Sequence, residues 1–437
     1  MRGTSSSRIP ARYQFAAVLA LVPVFMLAGA SWGANFYASD ATELQNHLSA
    51  AALNGEDDTI MVARGIYKGN FEYVSSEGRS ITLQGGYDAT FCSRQVDPAK
   101  TVLDGQSAGR VLHLYNSAGG SITVDGFTIR NGSGTLGAGI YARSDMAVGD
   151  TGDITLSNNI ITGNDTGTGG SLNGGGVNIY SHVNEGTSAN ILVSDNIITG
   201  NTANYLGGGL YALTMSLEGN SGTVTFSNNI IAGNTAAEYD GGGVDVHSAV
   251  DTNSYTCGKI SFYNNTIAGN SAGRYAGGVG IDTSNGDASL YNNIVWGNAA
   301  ASGHGRDLHT FSQGCTAKFY AYYNDFSDAY GCPWTGEEYN ISTDPLFVAP
   351  SHGNYHLRGN SPCRNAGIFR KKVYLSSMGM WLYYYHFIPD TDFEGDSRDS
   401  EAWIEETSDH YYKYCDIGAD EFTPSATPAI PLLLLND

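Results

Sequence analysis

Three residues of this chain have the types and spacing of a small acid–base centre. Asp245 and His247 stand two apart in Gly241-Gly242-Gly243-Val244-Asp245-Val246-His247, and Asp282 ends the run Gly277-Gly278-Val279-Gly280-Ile281-Asp282. In an extended strand, residues two apart project to the same face. Laying the two glycine-led runs side by side makes His247 and Asp282 lateral neighbours about 4.8 Å apart, with Asp245 two residues along the same face. Two carboxylates and an imidazole within reach can exchange protons with a substrate or hold a cation such as calcium. The same three side chains would be ordinary on a solvated outer strand face.

The alignment extends to other copies. Apolar residues alternate inward at Ile140 and Ala142, Val177 and Ile179, Leu210 and Ala212. That leaves Tyr141 and Arg143, Tyr180, and Tyr211 pointing outward. Tyr141, Tyr180 and Tyr211 are expected to form a platform for sugar rings, with Arg143 beside them. Arg143 lies three runs from His247, roughly 14 Å away, too far for one catalytic centre. Only Arg143, Lys259 and Arg274 are basic between Gly132 and Asn298, few for an enzyme that must neutralise uronates. A second acidic group, Asp390, Asp392 and Asp396, is a candidate calcium loop, although its spacing is not that of an EF-hand and a plain solvated loop explains it better. Gly303-His304-Gly305 resembles a motif of β-helical polygalacturonases. The upstream acid pair of those enzymes is not visible at matching places, so His304 reads as a loop residue.

The elements that position these residues come from a phrase repeated five times. Asn158-Asn159-Ile160-Ile161-Thr162-Gly163-Asn164 returns with its second Asn at Asn196, Asn229, Asn265 and Asn293, in steps of 37, 33, 36 and 28 residues. Such a period marks a solenoid, whose units bury their apolar faces against neighbours. Before each of the first four copies stands a period-two run such as Ile154 and Leu156, or Val224 and Phe226, which reads as a half-buried strand. No segment here has helical periodicity, so the fold class is all-β: a single right-handed parallel β-helix. Asn159, Asn196, Asn229, Asn265 and Asn293 are expected to form an inward ladder at the bends. A ligand-binding row is the alternative for the same residues.

Composition bounds the rest. Arg2, Arg8 and Arg12, an apolar core Phe15 to Leu27, and Ala28-Gly29-Ala30 have the layout of a secretory signal peptide over residues 1–34. Its removal leaves 19 Lys and Arg against 43 Asp and Glu, a net −24. So acidic a chain argues against nucleic acid and anionic membranes as partners, and against polyanionic sugars unless calcium bridges the charges. Six cysteines suggest disulfides in an exported protein, with Cys315–Cys332 and Cys363–Cys415 as the expected pairs and Cys92 and Cys257 left free. Asp40-Ala41-Thr42-Glu43 reads as a capping box opening a short helix with Leu44, Leu48 and Ala52 on one face, lying over the first coil. Thr59–Ala63 is the expected first strand. Residues 344–422 carry no repeat and are expected to close the far end; 423–437 form a short tail.

Thr101-Val102-Leu103-Asp104-Gly105, the Phe-x-Asn-Asn copies at Phe226 and Phe262, and the triple-glycine copies resemble polymorphic outer membrane protein repeats and other right-handed β-helices of the pectate-lyase-like superfamily. Asp344-Pro345-Leu346-Phe347, Ser361-Pro362-Cys363-Arg364-Asn365-Ala366-Gly367 and Asp416-Ile417-Gly418-Ala419-Asp420-Glu421 resemble the choice-of-anchor Q domain of bacterial surface β-helices. The resemblance implies an exported bacterial protein, secreted or on the outer surface, that binds a polysaccharide or a cell-surface or matrix glycan in the manner of an adhesin. A polysaccharide lyase or glycoside hydrolase using Asp245, His247 and Asp282 is the alternative. The chain ends fifteen residues after Phe422, which leaves no room there for an autotransporter barrel.

Overall fold

The computed structural model describes residues 33–252, 254–375, 380–385, 389–398, 404–407 and 410–421. The expected leader, apart from its last two residues, and the tail fall outside them. Three long sheets, each parallel throughout, are built from strands between residues 35 and 338. Sheet A has eleven strands, from Asn35–Ala38 to Gly336–Glu338; sheet B has nine, from Gly65–Lys68 to Asp325–Phe326; sheet C has nine, from Phe71–Ser75 to Ala329–Gly331. Successive strands go to different sheets, and each pairs with its counterpart one coil on. This is a right-handed parallel β-helix, the hand that parallel crossovers almost always take. Two-residue strands at Thr202–Ala203, Thr235–Ala236, Ser271–Ala272 and Ala299–Ala300 add a fourth short sheet between B and C.

Every letter of the repeated phrase has a place. Its first residue, at Asn158, Asp195, Asn228, Asn264 and Asn292, holds φ between 52° and 59°, a left-handed bend that Asn and Asp tolerate better than other side-chain-bearing residues. The second Asn turns inward, as expected. Nδ2 of Asn159 donates to Oδ1 of Asn196 at 3.1 Å, Asn196 to Asn229 at 3.1 Å, and Asn229 to Asn265 at 2.9 Å. The row continues through Asn293 to Asn324 and Asn340. The last Asn of the phrase builds a second ladder that the sequence reading did not separate: Asn164, Asn201, Asn234, Asn270, Asn298, ending on Asp307. The glycine before it takes the second left-handed bend, with φ near 63° at Gly163, Gly233 and Gly269, where a Cβ would be strained.

Helix α1, Ala41–Ala51, lies at the start of the β-helix as expected. Asp40 caps it by accepting from Thr42 and Glu43 N–H, and Leu44, Leu48 and Ala51 are buried. A strand at Asn35–Ala38 precedes the expected first one. The interior is a single stack of aliphatic and aromatic side chains, with Phe226 over Phe262 at 4.6 Å.

The C-terminal region departs from the expectation that it closes the far end. It folds back along the flank, against the bend between sheets A and B. Nδ2 of Asn228 donates to Thr391 O at 2.9 Å, Nδ2 of Asn292 to Ile368 O at 2.7 Å, and Ala419 N to Thr266 Oγ1 at 3.0 Å. The reason lies in the Ile-Ile pairs. Ile161, Ile198 and Ile231 face the core, so Ile160, Ile197 and Ile230 face out, and the region around Ala419, Tyr355 and Phe393 covers them. A strand apolar on both faces needs cover on both. The last coil instead ends with Trp334 and the Cys315–Cys332 disulfide, which forms as expected. The expected Cys363–Cys415 pair does not form. The two thiols sit in different apolar clusters, and Cys363 Sγ donates to Asp325 Oδ2 at 3.2 Å. Cys92 and Cys257 are free.

Candidate functional site

The outer face of sheet C carries the expected register. Tyr141, Asn178, Tyr211, Asp245, Gly280, His309 and Tyr330 form one lateral row. Arg143, Tyr180, Leu213, His247, Asp282 and Phe311 form the next. Asp245, His247 and Asp282 therefore come together. His247 Nε2 bonds Asp245 Oδ1, and its Nδ1 lies 3.6 Å from Asp282 Oδ2. Asp245 is almost wholly buried, whereas the Asp282 side chain is 42% exposed.

The expected tyrosine platform is a correction. Tyr141 and Tyr211 are 9% and 7% exposed and cannot stack on an external ring. Tyr141 lies under the Arg110 guanidinium at 4.8 Å and against the His113 ring at 5.4 Å. Arg143 is held between the Tyr115 and Tyr180 rings, each 5.1 Å away, and paired with Asp145. These four residues pack the face together. Neighbouring side chains, Arg110 and His113 at Tyr141 and His247 at Tyr211, cover the rings, which strand alternation alone could not reveal.

The accessible aromatics lie farther along. Phe311 and Tyr330 are 50% and 48% exposed. Phe311 is the lateral neighbour of Asp282, and Tyr330 that of His309. A cavity of about 250 Å³ opens here, lined by Asp245, His247, Asp282, His309 and Phe311, with Tyr239, Asp240 and Arg274 from the loop edge. Arg274 lies over the Tyr239 ring at 4.4 Å and the Tyr275 ring at 4.8 Å. The sequence reading missed Asp240, Arg274, His309, Phe311 and Tyr330. A signal existed for part of the wall: Tyr205, Tyr239 and Arg274 all stand two residues before the left-handed position of their coils. His304, expected in a loop, is exposed and stacks on Tyr330 at 5.4 Å.

The cavity exists because the repeat breaks. The left-handed position before each run of sheet C is glycine at Gly137, Gly174, Gly207, Gly241 and Gly305, but Ala276 in the coil of Asp282, at φ 55°. Four residues on, the outward side chain is replaced by Gly280. A Cβ at Gly280 would stand 2.8 Å from Asp245 Oδ2 and 3.4 Å from the Ala276 Cβ. The methyl has moved from one position to the other, and the carboxylate of Asp245 occupies the space left in the face.

Electrostatics divide the site. Burial alone would make His247 less basic, but the charge of Asp245, its hydrogen bond and the charge of Asp282 outweigh that and hold the imidazolium above the usual histidine range. Burial raises the pKa of Asp282, more than His247 lowers it. Burial likewise raises Asp240, against a hydrogen bond from Tyr275 N. His309 moves the other way: burial lowers its pKa and favours the neutral ring. Across the notch at Gly280, Asp245 and His309 stand two strand spacings apart, about 9.6 Å. The arrangement places an imidazole made more basic, a carboxyl made less acidic and an imidazole made less basic around one opening.

The calcium loop resolves differently from its expectation. Asp392 is buried and spends its carboxylate on backbone: Oδ1 accepts from Glu394 and Asp396 N–H, and Oδ2 from Glu421 N–H. Asp390 is exposed. A larger cleft of about 570 Å³ lies on the flank, lined by Trp296, Phe347, Tyr355 and Arg358, and its lining holds no histidine.

No protein-family profile and no curated protein matches the chain. Among solved structures, the crystal structure of pectate lyase Pel9A is similar, with 12% identity and a TM-score of 0.40 over 90% of this chain and 98% of that one. The parallel β-helix rests on the strand pairing itself.

Proposed function

We propose that this protein is an exported glycan-binding β-helix whose site is the cavity between Asp282, Phe311 and Arg274. The observation that carries the reading is the meeting of the exposed Phe311 ring with a polar cluster at the Gly280 notch in the outer row of sheet C. Sugars are recognised by stacking of their C–H faces on aromatic rings and by hydrogen bonds to fixed polar groups, the mixture found in most small-ligand sites. A net charge of −21 favours neutral glycans over polyuronates. The N-terminal apolar segment and the Cys315–Cys332 disulfide support export. The resemblance of residues 344–421 to anchor domains supports a place at a bacterial surface. A screen of neutral and uronate glycans, followed by calorimetry with Phe311→Ala, tests it. Loss of about tenfold or more in affinity is expected, equal to about 1.4 kcal/mol. Unchanged binding by Phe311→Ala overturns the placement.

A second reading is hydrolysis of the bound glycan. It is favoured by the raised pKa of Asp282 and the lowered pKa of His309, which favour the protonated carboxyl and the neutral ring, the forms a general acid and a general base need. Asp282 would protonate the leaving oxygen and His309 would activate water, with Asp245 and His247 fixing the charge between them. Product analysis with Asp282→Asn separates the two readings: cleavage lost with binding retained supports the enzyme, and no cleavage by wild type supports the binder.

A further inference from the structure

A second histidine–carboxylate group lies on the flank, away from the outer face of sheet C. His356, Glu394 and Asp420 come from three separate segments of the C-terminal region, and one donor atom of each lies within 4.8 Å of the others. His356 Nδ1 is 3.1 Å from Asp420 Oδ1, and Asp420 Oδ2 accepts from Leu357 N–H at 3.2 Å. That pair of contacts holds the ring with Nε2 turned to Glu394, whose Oε1 is 3.5 Å away. The Glu394 side chain is only 8% exposed, and its Oε1 is buried without any hydrogen bond. Its nearest partner is His356 Nε2, too far for a hydrogen bond, and a buried carboxylate oxygen held this loosely is unfavourable, so the gap between the two atoms points to a shared ligand.

We propose that His356 and Glu394 bind a divalent transition ion, Zn²⁺ in the first instance, with Asp420 orienting the imidazole. An imidazole nitrogen with carboxylate oxygens is a donor set for zinc and its neighbours, whereas calcium takes oxygen almost alone. Bonds of about 2.0–2.2 Å in a tetrahedral site place donors roughly 3.3–3.5 Å apart, as Nε2 and Oε1 are here. The contact from Asp420 to Nδ1 is the outer hydrogen bond that zinc-bound histidines commonly make. Solvent completes the coordination, and the His356 side chain, 23% exposed, leaves an entry path. The ion joins the strand Asn354–Leu357, the turn at Asp392–Asp396 and the segment of Asp420, which together cover Ile197 and Ile230. Its role is a clasp that fastens this cover to the β-helix.

The test uses the full chain, stripped with chelator and dialysed. Titration with ZnCl₂ is expected to show one saturable equivalent and a rise in the midpoint of thermal unfolding. The isosteric variant Glu394→Gln loses that equivalent, and Asp420→Asn weakens it by about 10- to 100-fold. Circular dichroism checks that each variant is folded, and His247→Gln, at the other site, should bind zinc as wild type does. No zinc equivalent in wild type overturns the proposal. So does one that survives Glu394→Gln, or CaCl₂ binding where ZnCl₂ does not.

Discussion

The bend between sheets A and B and the outer face of sheet C are built from the same coils, yet they behave as opposites. At the bend each coil repeats its neighbour. Every ladder Asn from Asn159 to Asn293 both accepts from the coil before and donates to the coil after. Identical residues satisfy one another, and nothing is left over to meet a ligand. On the outer face the side chains change from coil to coil: Asn178, Tyr211, Asp245, Gly280, His309. There the charges do not cancel in register, and a cavity with shifted pKa values results. In this solenoid repetition holds the fold, and departures from it make the site.

The comparison can be strained first on the covered side. Arg398 is fully buried and paired with Glu421 at 2.9 Å, and it also donates to Gly418 O, Ala419 O and Asn228 Oδ1. Arg398→Met leaves the Glu421 charge without its partner and is expected to lower stability by about 3–5 kcal/mol. Hydrogen exchange should localise the loosening to residues 389–421 and the bend beneath, while glycan affinity stays within twofold. Equal loosening of sheet C would show that the two sides are not independent.

Asn229→Ala attacks the ladder at its middle. It removes the acceptor of Asn196 Nδ2 and N–H and the donor to Val193 O. Losing these in a buried site should lower stability by about 2–4 kcal/mol, read from the denaturation midpoint. Affinity at the cavity should again hold.

Gly280→Ala is the reverse experiment. The new methyl meets Asp245 Oδ2, so a modest stability loss of about 1–2 kcal/mol is expected from overpacking. A comparable effect falls on the ligand, whose affinity should drop about tenfold, equivalent to about 1.4 kcal/mol. A variant that binds as wild type does would remove the notch from the argument.

The smallest effect is in pH. The His247 pKa is raised in the folded protein. Its contribution to stability is therefore fully present below the ordinary histidine value, about 6.5, and is lost as pH rises through the raised value. The stability difference between wild type and His247→Gln should shrink across that window. A difference that grows with pH would contradict the raised value.

The sequence also shows where it could and could not be read. The bends, the first Asn ladder, the strand alternation, the capping of α1 and the meeting of Asp245, His247 and Asp282 were legible, because each depends on residues near in sequence or one repeat apart. The burial of Tyr141 and Tyr211 was not, since it depends on how Arg110, His113 and His247 pack over the rings, which strand periodicity does not specify. Nor was the turn of the C-terminal region onto Ile160, Ile197 and Ile230, although the doubled isoleucines were the clue that both faces of sheet B needed cover.

By itself, then, the chain determined a β-helix and its register: a short repeat sets which residues are neighbours on adjacent coils, and strand geometry sets which face they share. Only the tertiary structure decided which of those neighbours remain open to solvent, that Phe311 and Tyr330 rather than Tyr141 and Tyr211 are the exposed rings, and that His356, Glu394 and Asp420 converge. Those outcomes depend on contacts between segments with no common period. They are settled by which apolar surfaces must be covered once the coils have stacked.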